Sequence, residues 1–311
     1  MSGKVLKYFF VFISCAIILR GESDPLNILN GMLYTGDGQW LKPGTFFQIT
    51  PDEARLIQKI EKKTAYIDMS RFWILPAFQN IWYTCNPDST YRLYPYIQTG
   101  LPPWSIKMLY KDKLNQGVVS FYLYPESPYV RSGDLVKIVY PGISIQKGLM
   151  INKSFLSDST LDEILFGPEL FSSYREKDLI LQWKNQQFSL YMQDYTRMNE
   201  PVIRMLISSG QTTDTLTYYP VSSIREITEL SPHKAMIIKN IDPTILLRDM
   251  HLLEDSQKVR ILDILTGYTH ERSDSLHNFT EPHYLFLDRN PLEYESRIKF
   301  IMINGTFSLN P

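Results

Sequence analysis

Cysteine is nearly absent from this 311-residue chain, which has only Cys15 and Cys85. Cys15 lies in an apolar N-terminal run that reads as a removable leader, so one thiol remains and no intramolecular disulfide can form. An exported protein of this length can rely on its core instead. Histidine is almost as sparse. His233, His251, His270, His277 and His283 all lie in the last third, and none forms His-x-His or the His-Glu-x-x-His helix pair. An excess of either charge is missing too: 32 basic against 33 acidic residues leave a net charge of −1. That argues against a nucleic-acid partner, which needs a basic surface, and none is expected. There is no block of like charge, no GxSxG elbow, no Walker loop and no dinucleotide fingerprint. Cys85 has no histidine near it in sequence. The carboxylate pairs Asp162-Glu163 and Glu254-Asp255 are adjacent in sequence, so on a helix they diverge and read as surface. No catalytic constellation stands out.

What is present is an ordinary globular composition, 44% hydrophobic and 21% charged, enough for one large domain or two modest ones. Lys4 and Lys7 precede the apolar run Tyr8–Leu19. Twelve helical residues rise about 18 Å, short for a bilayer, so residues 1–23 are expected to be a signal peptide cut before Asp24 and the chain to be exported, secreted or periplasmic. Two alternatives are a lipid anchor at Cys15, in a loose lipobox Phe12–Cys15, and a buried N-terminal helix of a cytosolic protein. No transmembrane helix is expected. Asn152, Asn278 and Asn304 begin glycosylation sequons.

Residues 26–74 read as short strands plus one helix. Asn30-Gly31 divides an apolar stretch, and Thr35-Gly36-Asp37-Gly38 is a turn whose glycines can take positive φ. Thr45–Ile49 and Thr64–Asp68 read as strands. Between them Thr50 is a candidate N-cap, with Pro51 first in the helix and Glu53 closing a capping box. Trp73-Ile74-Leu75 is a strand that Pro76 ends. Asn80–Trp104, rich in Tyr and Pro, reads as a long loop or lid. Its rings Tyr91, Tyr94, Tyr96 and Trp104 are candidate ligand contacts; the alternative is that they pack the loop down. Leu135–Tyr140, Phe188–Met192 and Val202–Ile207 read as strands or short helices, Asp214–Tyr219 and Ala235–Ile241 as strands, and Ile245–Leu253 and Gln257–Leu265 as helices. Tyr284–Leu287 and Ile298–Ile303 read as antiparallel strands set off by Asn290-Pro291 and Asn304-Gly305.

These blocks resemble the imidazolonepropionase-like, metal-dependent amidohydrolases. Leu75–Asn80 is similar to that family's approach "VLPGLID-x-H-x-H". Asn30–Gly38 and Ile67–Ala77 match its opening strands in order and spacing. Tyr284–Glu293 looks like "ADLVVLD-x-NPLE" and Ile298–Thr306 like its final strand. More loosely, Gly117–Phe121 resembles its second barrel strand, and Ser256–Thr266 the helix that leads back. The resemblance implies an α/β protein with a composite β-sandwich from residues 24–77 plus 279–311. Residues 78–278 would form a TIM-like (β/α) barrel. Such a barrel takes about 250 residues and seldom under about 200, so an abridged or distorted barrel is expected, with weak or missing helices around the middle strands.

The family's hydrolysis uses one or two divalent metals held by His-x-His on the first barrel strand, a carboxylated lysine and two further histidines. An aspartate after strand eight is the general base. Alternate strand residues face the same way, which is why the two imidazoles are spaced by two. Here Trp82 and Thr84 stand at those positions, so no metal site is assigned, and Asp242 is the candidate general base. The first reading is an exported amidohydrolase-like protein without its metal centre, a pseudoenzyme with a binding or structural role and no cofactor. The alternative is an active hydrolase of carbon–nitrogen bonds other than peptide bonds, through a relocated or incomplete zinc or other divalent-metal site. A third is a preserved fragment without specific function. The partner is an unidentified small molecule or protein, with a homo-oligomer as one way to cover an open sheet edge.

Overall fold

The computed structural model describes residues 26–41, 46–49, 54–57, 66–85, 96–97, 103–125, 132–152, 178, 181–183, 185, 189–194, 202–208, 213–268 and 282–309. The strands in chain order begin with β1 (Leu26–Leu29), β2 (Met32–Gly36), β3 (Gln39–Leu41), β4 (Phe46–Ile49), β5 (Ala54–Ile57), β6 (Tyr66–Asp68) and β7 (Trp73–Pro76). The middle carries β8 (Ile81–Cys85), β9 (Tyr96–Ile97), β10 (Ser120–Pro125), β11 (Ser132–Val139) and β12 (Ile143–Asn152). It continues with β13 (Ser189–Asp194), β14 (Val202–Ser208), β15 (Thr213–Val221) and β16 (Ala235–Ile238). β17 (Tyr284–Leu287), β18 (Ile298–Ile303) and β19 (Thr306–Leu309) end the chain. The helices are α1 (Pro103–Asn115), α2 (Ile224–Glu229), α3 (Pro243–Asp249) and α4 (Asp255–Thr266). The chain divides into two units: one takes in both ends, Met1–Ala77 with Leu247–Pro311, and the other is Phe78–Leu246.

The first unit holds two sheets. One has the order β5-β4-β1-β6 and the other β19-β18-β17-β7-β2-β3. In the second sheet β7 lies between β2, from the N-terminal part, and β17, from the C-terminal part, so both ends of the chain build it. Ile28 and Ile67 of one sheet share a buried cluster with Leu33, Ile74, Phe286 and Phe300 of the other, as period-2 alternation on two facing sheets requires. The turn chemistry behaves as the residues dictate. Gly36, Asp37 and Gly38 have φ of 97°, 51° and 71°, and Asn304-Gly305 has 48° and 71° between β18 and β19, the two positive φ of a tight hairpin. The helix expected from Thr50 is corrected. Ala54–Ile57 is strand β5, antiparallel to β4, because the ladder satisfies its backbone groups better than an isolated short helix could.

The second unit is a mixed sheet with path β8-β10-β11-β12-β13-β14-β15-β16, and β9 adds beside β11. A parallel bridge between Trp82 and Lys239 brings β16 back to β8, so the eight strands nearly close a barrel. The steps β8/β10, β12/β13 and β15/β16 are parallel; the other four are antiparallel. This revises the (β/α) plan. Parallel neighbours need a long crossover, supplied by α1 after β8 and by α2 after β15. Antiparallel neighbours need only a turn, such as Tyr140–Gly142 between β11 and β12. That saving is how eight strands fit a chain this short. Asn80–Trp104 is likewise corrected as a continuous loop, because it holds β8, β9 and the start of α1. β12 had no counterpart among the expected strands.

Candidate functional site

β8 reads Ile-Trp-Tyr-Thr-Cys, aromatic and β-branched residues that suit a pleated, buried strand. Alternation then sends Trp82 and Thr84 to the inward face of the barrel and Ile81 and Tyr83 to the outward one. Trp82 is 7% exposed. It clusters with Tyr124, Leu135, Met150, Ile203 and Ile237, and Tyr122, Tyr191 and Tyr218 pack on that cluster half-buried. Every strand of the eight supplies a side chain to this filling. The Trp82 ring stacks on Tyr122 at 5.0 Å and meets Tyr124 and Tyr191 edge-on at 5.6 Å, the offset and T-shaped geometries that aromatic quadrupoles favour.

Thr84 is held by a residue that the sequence reading passed over. Asn240 Nδ2 donates to Thr84 Oγ1 at 2.9 Å, and Asn240 Oδ1 accepts from the Thr84 backbone N–H at 2.9 Å. The Asn240 backbone N–H donates to the Trp82 carbonyl at 2.8 Å. Asn240 takes φ 50°, a left-handed conformation that Asn tolerates better than most residues. The sequence signal was an Asn two residues before an Asp-Pro, just beyond a strand.

Asp242 is a helix cap. Its Oδ1 accepts from the Thr244 backbone N–H at 2.8 Å and from Thr244 Oγ1 at 2.7 Å, and its carbonyl accepts from Leu246 N. That is N-cap geometry at the start of α3. Its charge is felt on the outward face of β8. There Lys113 of α1 sets its ammonium 3.8 Å over the Tyr83 ring. Burial pulls the Lys113 ammonium below its ordinary pKa, against the opposing influence of Asp242. Burial, helped by Asp242, pushes the Tyr83 phenol up.

Of the proposed ligand contacts, Tyr91 and Tyr94 lie outside the described residues. Tyr96 belongs to β9 and pairs in backbone register with Ser132; Trp104 is in the first turn of α1. Among the histidines, His233 is exposed ahead of β16. His251 Nδ1 lies 2.8 Å from the Arg248 carbonyl, and His283 Nδ1 accepts from Asn304 N at 3.3 Å. His270 and His277 lie outside the described residues. Asn152, a sequon residue, is 4% exposed. Among the described residues no three His, Cys, Asp or Glu side chains gather as a metal site would need. The two strand-one positions do not fit a divalent cation either. An indole N–H is a donor only, and the Thr84 hydroxyl is committed to Asn240.

No family model and no curated protein matches the sequence. Solved structures do. An amidohydrolase from Thermotoga maritima MSB8 aligns over 91% of this chain and 99% of its own, at 9% identity and a TM-score of 0.47. A beta-aspartyl dipeptidase from Fervidobacterium islandicum AW-1 aligns over 94% and 97%, at 9% identity and a TM-score of 0.41. A prolidase aligns over 92% and 100%, at 9% identity and a TM-score of 0.36. At such scores the fold of this chain rests on its own strands. These three solved structures, each similar over most of this chain, are an amidohydrolase, a beta-aspartyl dipeptidase and a prolidase.

Proposed function

We propose that this chain is an exported amidohydrolase-like protein without a metal centre on its first barrel strand, acting as a binding module rather than a metal-dependent hydrolase. One observation carries the reading. The two positions that would hold the imidazoles are used up by the barrel itself, Trp82 in the aromatic filling and Thr84 in the Asn240 clamp. The terminal motifs support the ancestry, and the apolar run before Asp24 supports export. Asp242, the candidate general base, is engaged in capping α3.

Elemental mass spectrometry of the purified chain, without added metal, tests the reading. Well under one equivalent of zinc, manganese or iron in a folded sample is the expected result. Near-stoichiometric metal, with turnover of cyclic amides that a chelator removes and zinc restores, would overturn it.

A further inference from the structure

We propose that the inward face of the barrel around Tyr122, Tyr191 and Tyr218 is a binding site for a small planar ring bearing an anionic group, of the aryl-carboxylate class. The proposal rests on the reading of the barrel as a binding module and gives that module a ligand chemistry.

Register places the groups together. Tyr122 of β10 pairs with Lys137 of β11, so the two share the inward face, and the Lys137 ammonium lies 5.5 Å from the Tyr122 ring centre. Tyr191 of β13 pairs with Met205 of β14, and Met205 with Leu216 of β15, two residues from Tyr218 on the same face. Tyr122 and Tyr191 both meet the Trp82 ring, and Tyr218 packs on the same cluster, so the three rings gather on one face. A Cβ at Gly148 would overlap the Ser189 carbonyl and come 3.3 Å from Tyr191 Cδ2. The bare backbone there makes room for that ring.

The three tyrosines are half-buried, whereas Leu216 is 48% exposed and Ile145, paired with Lys137, is 41% exposed. This inward surface therefore meets solvent beside the tyrosines. It offers aromatic rings, phenol donors and the Lys137 ammonium, with Lys239, paired with Trp82, a second lysine on the inward face. Among the described residues the carboxylate on this face is Asp214, exposed four residues from Tyr218 along β15, about 13 Å away. Flat π faces select a planar ring, while phenol O–H groups and an ammonium select an anion on it. A cationic ligand would meet Lys137 with like charge.

Isothermal titration of the full chain with benzoate tests this, with benzamide as the neutral probe and cyclohexanecarboxylate as the non-planar one. Benzoate is expected to saturate one site with a Kd on the order of 1 mM, as a ligand of its size allows. The other two probes should bind at least about tenfold more weakly. Lys137→Met and Lys137→Gln should lower benzoate affinity to that of benzamide, while Lys147→Met, exposed on β12, should leave it unchanged. Tyr191→Phe keeps the ring and should weaken benzoate a few-fold. Failure of benzoate to saturate, equal affinity for the three probes, or wild-type affinity in both Lys137 variants overturns the proposal. Metal content read on the same samples separates the two ideas. A metal-loaded chain that binds benzoate through Lys137 overturns only the metal-free reading. A metal-free chain indifferent to benzoate overturns only this one.

Discussion

Asn240 reaches back to Thr84 with both ends of its carboxamide, at 2.9 Å each, and so ties the last barrel strand to the first. Elsewhere the sheet is held by continuous ladders, while here a single bridge joins Trp82 to Lys239. Much of the closure therefore depends on one side chain. Asn240→Ala removes both side-chain hydrogen bonds and leaves at φ 50° a residue that tolerates the left-handed region less well than Asn, a combined cost of about 2–3 kcal/mol. Asn240→Gly relieves the backbone but not the lost bonds, at about 1 kcal/mol. Denaturant midpoints should rank wild type above Gly above Ala. Equal midpoints would show that the clamp contributes nothing.

Histidines placed at positions 82 and 84 should not create a metal site. Trp82→His opens a void in the aromatic filling, and Thr84→His breaks the Asn240 clamp. With Trp82 7% exposed, truncation to Ala is expected to cost about 3–5 kcal/mol. The Trp82→His, Thr84→His double variant should melt well below wild type and take up zinc no better. Tight, stoichiometric zinc in that variant, seen by elemental analysis, would mean that the remaining ligands are still in place.

Alkaline pH should weaken the fold through its buried phenols. Burial is the main cause that raises Tyr34, Tyr83, Tyr110 and Tyr191 above the ordinary value, Tyr191 to about 12. A group whose folded pKa is raised contributes stability that is complete below its unfolded pKa, about 10 for tyrosine, and is lost as pH climbs through the folded value. For Tyr191 the loss falls between about pH 10 and its folded pKa near 12. Urea midpoints should hold steady up to about pH 9 and then fall, and Tyr191→Phe should flatten that fall. A midpoint that does not move up to about pH 11 would contradict the assignment.

Gly36 and Gly142 have nearly the same φ, 97° and 93°, but different neighbours. A Cβ at Gly36 would run into the Tyr268 ring, whereas one at Gly142 meets nothing within 4 Å. Gly142→Ala should cost only the backbone term, about 1–2 kcal/mol. Gly36→Ala adds overpacking, at least about 1 kcal/mol more. Thermal melts that rank the two variants the other way would show that the Tyr268 ring moves aside freely.

Much of the fold was legible in the residues, and some was not. Asn30, the Gly36-Asp37-Gly38 turn and Asn304-Gly305 declared themselves, because positive φ is a local demand that few residue types meet. The helix at Gln257–Leu265 was legible from its apolar spacing. The structure adds a capping box between Glu254 and Gln257 and a left-handed Gly267 at its end. Ala54–Ile57 misled for an equally local reason. Its Thr-Pro-Asp-Glu start is a sound helix signal, overruled by pairing with β4. β12 escaped notice because Ile143–Asn152 passes through Gln146, Lys147 and Gly148, which break its apolar alternation. At the candidate site, Trp82 and Thr84 were singled out from the sequence, but Asn240 was not.

By itself the sequence determined most of the strands at both ends of the chain, Ala54–Ile57 excepted, where the tight turns fall, and that the histidine pair is missing from the first barrel strand. These are properties of residues a few positions apart, where propensity and backbone sterics act. The tertiary structure decided the rest: which barrel strands run antiparallel, that Asp242 caps a helix, and that Asn240 clamps Thr84 across 156 residues of chain. Such pairings follow from bringing the barrel round on itself, a condition on all eight strands together that no short stretch can express.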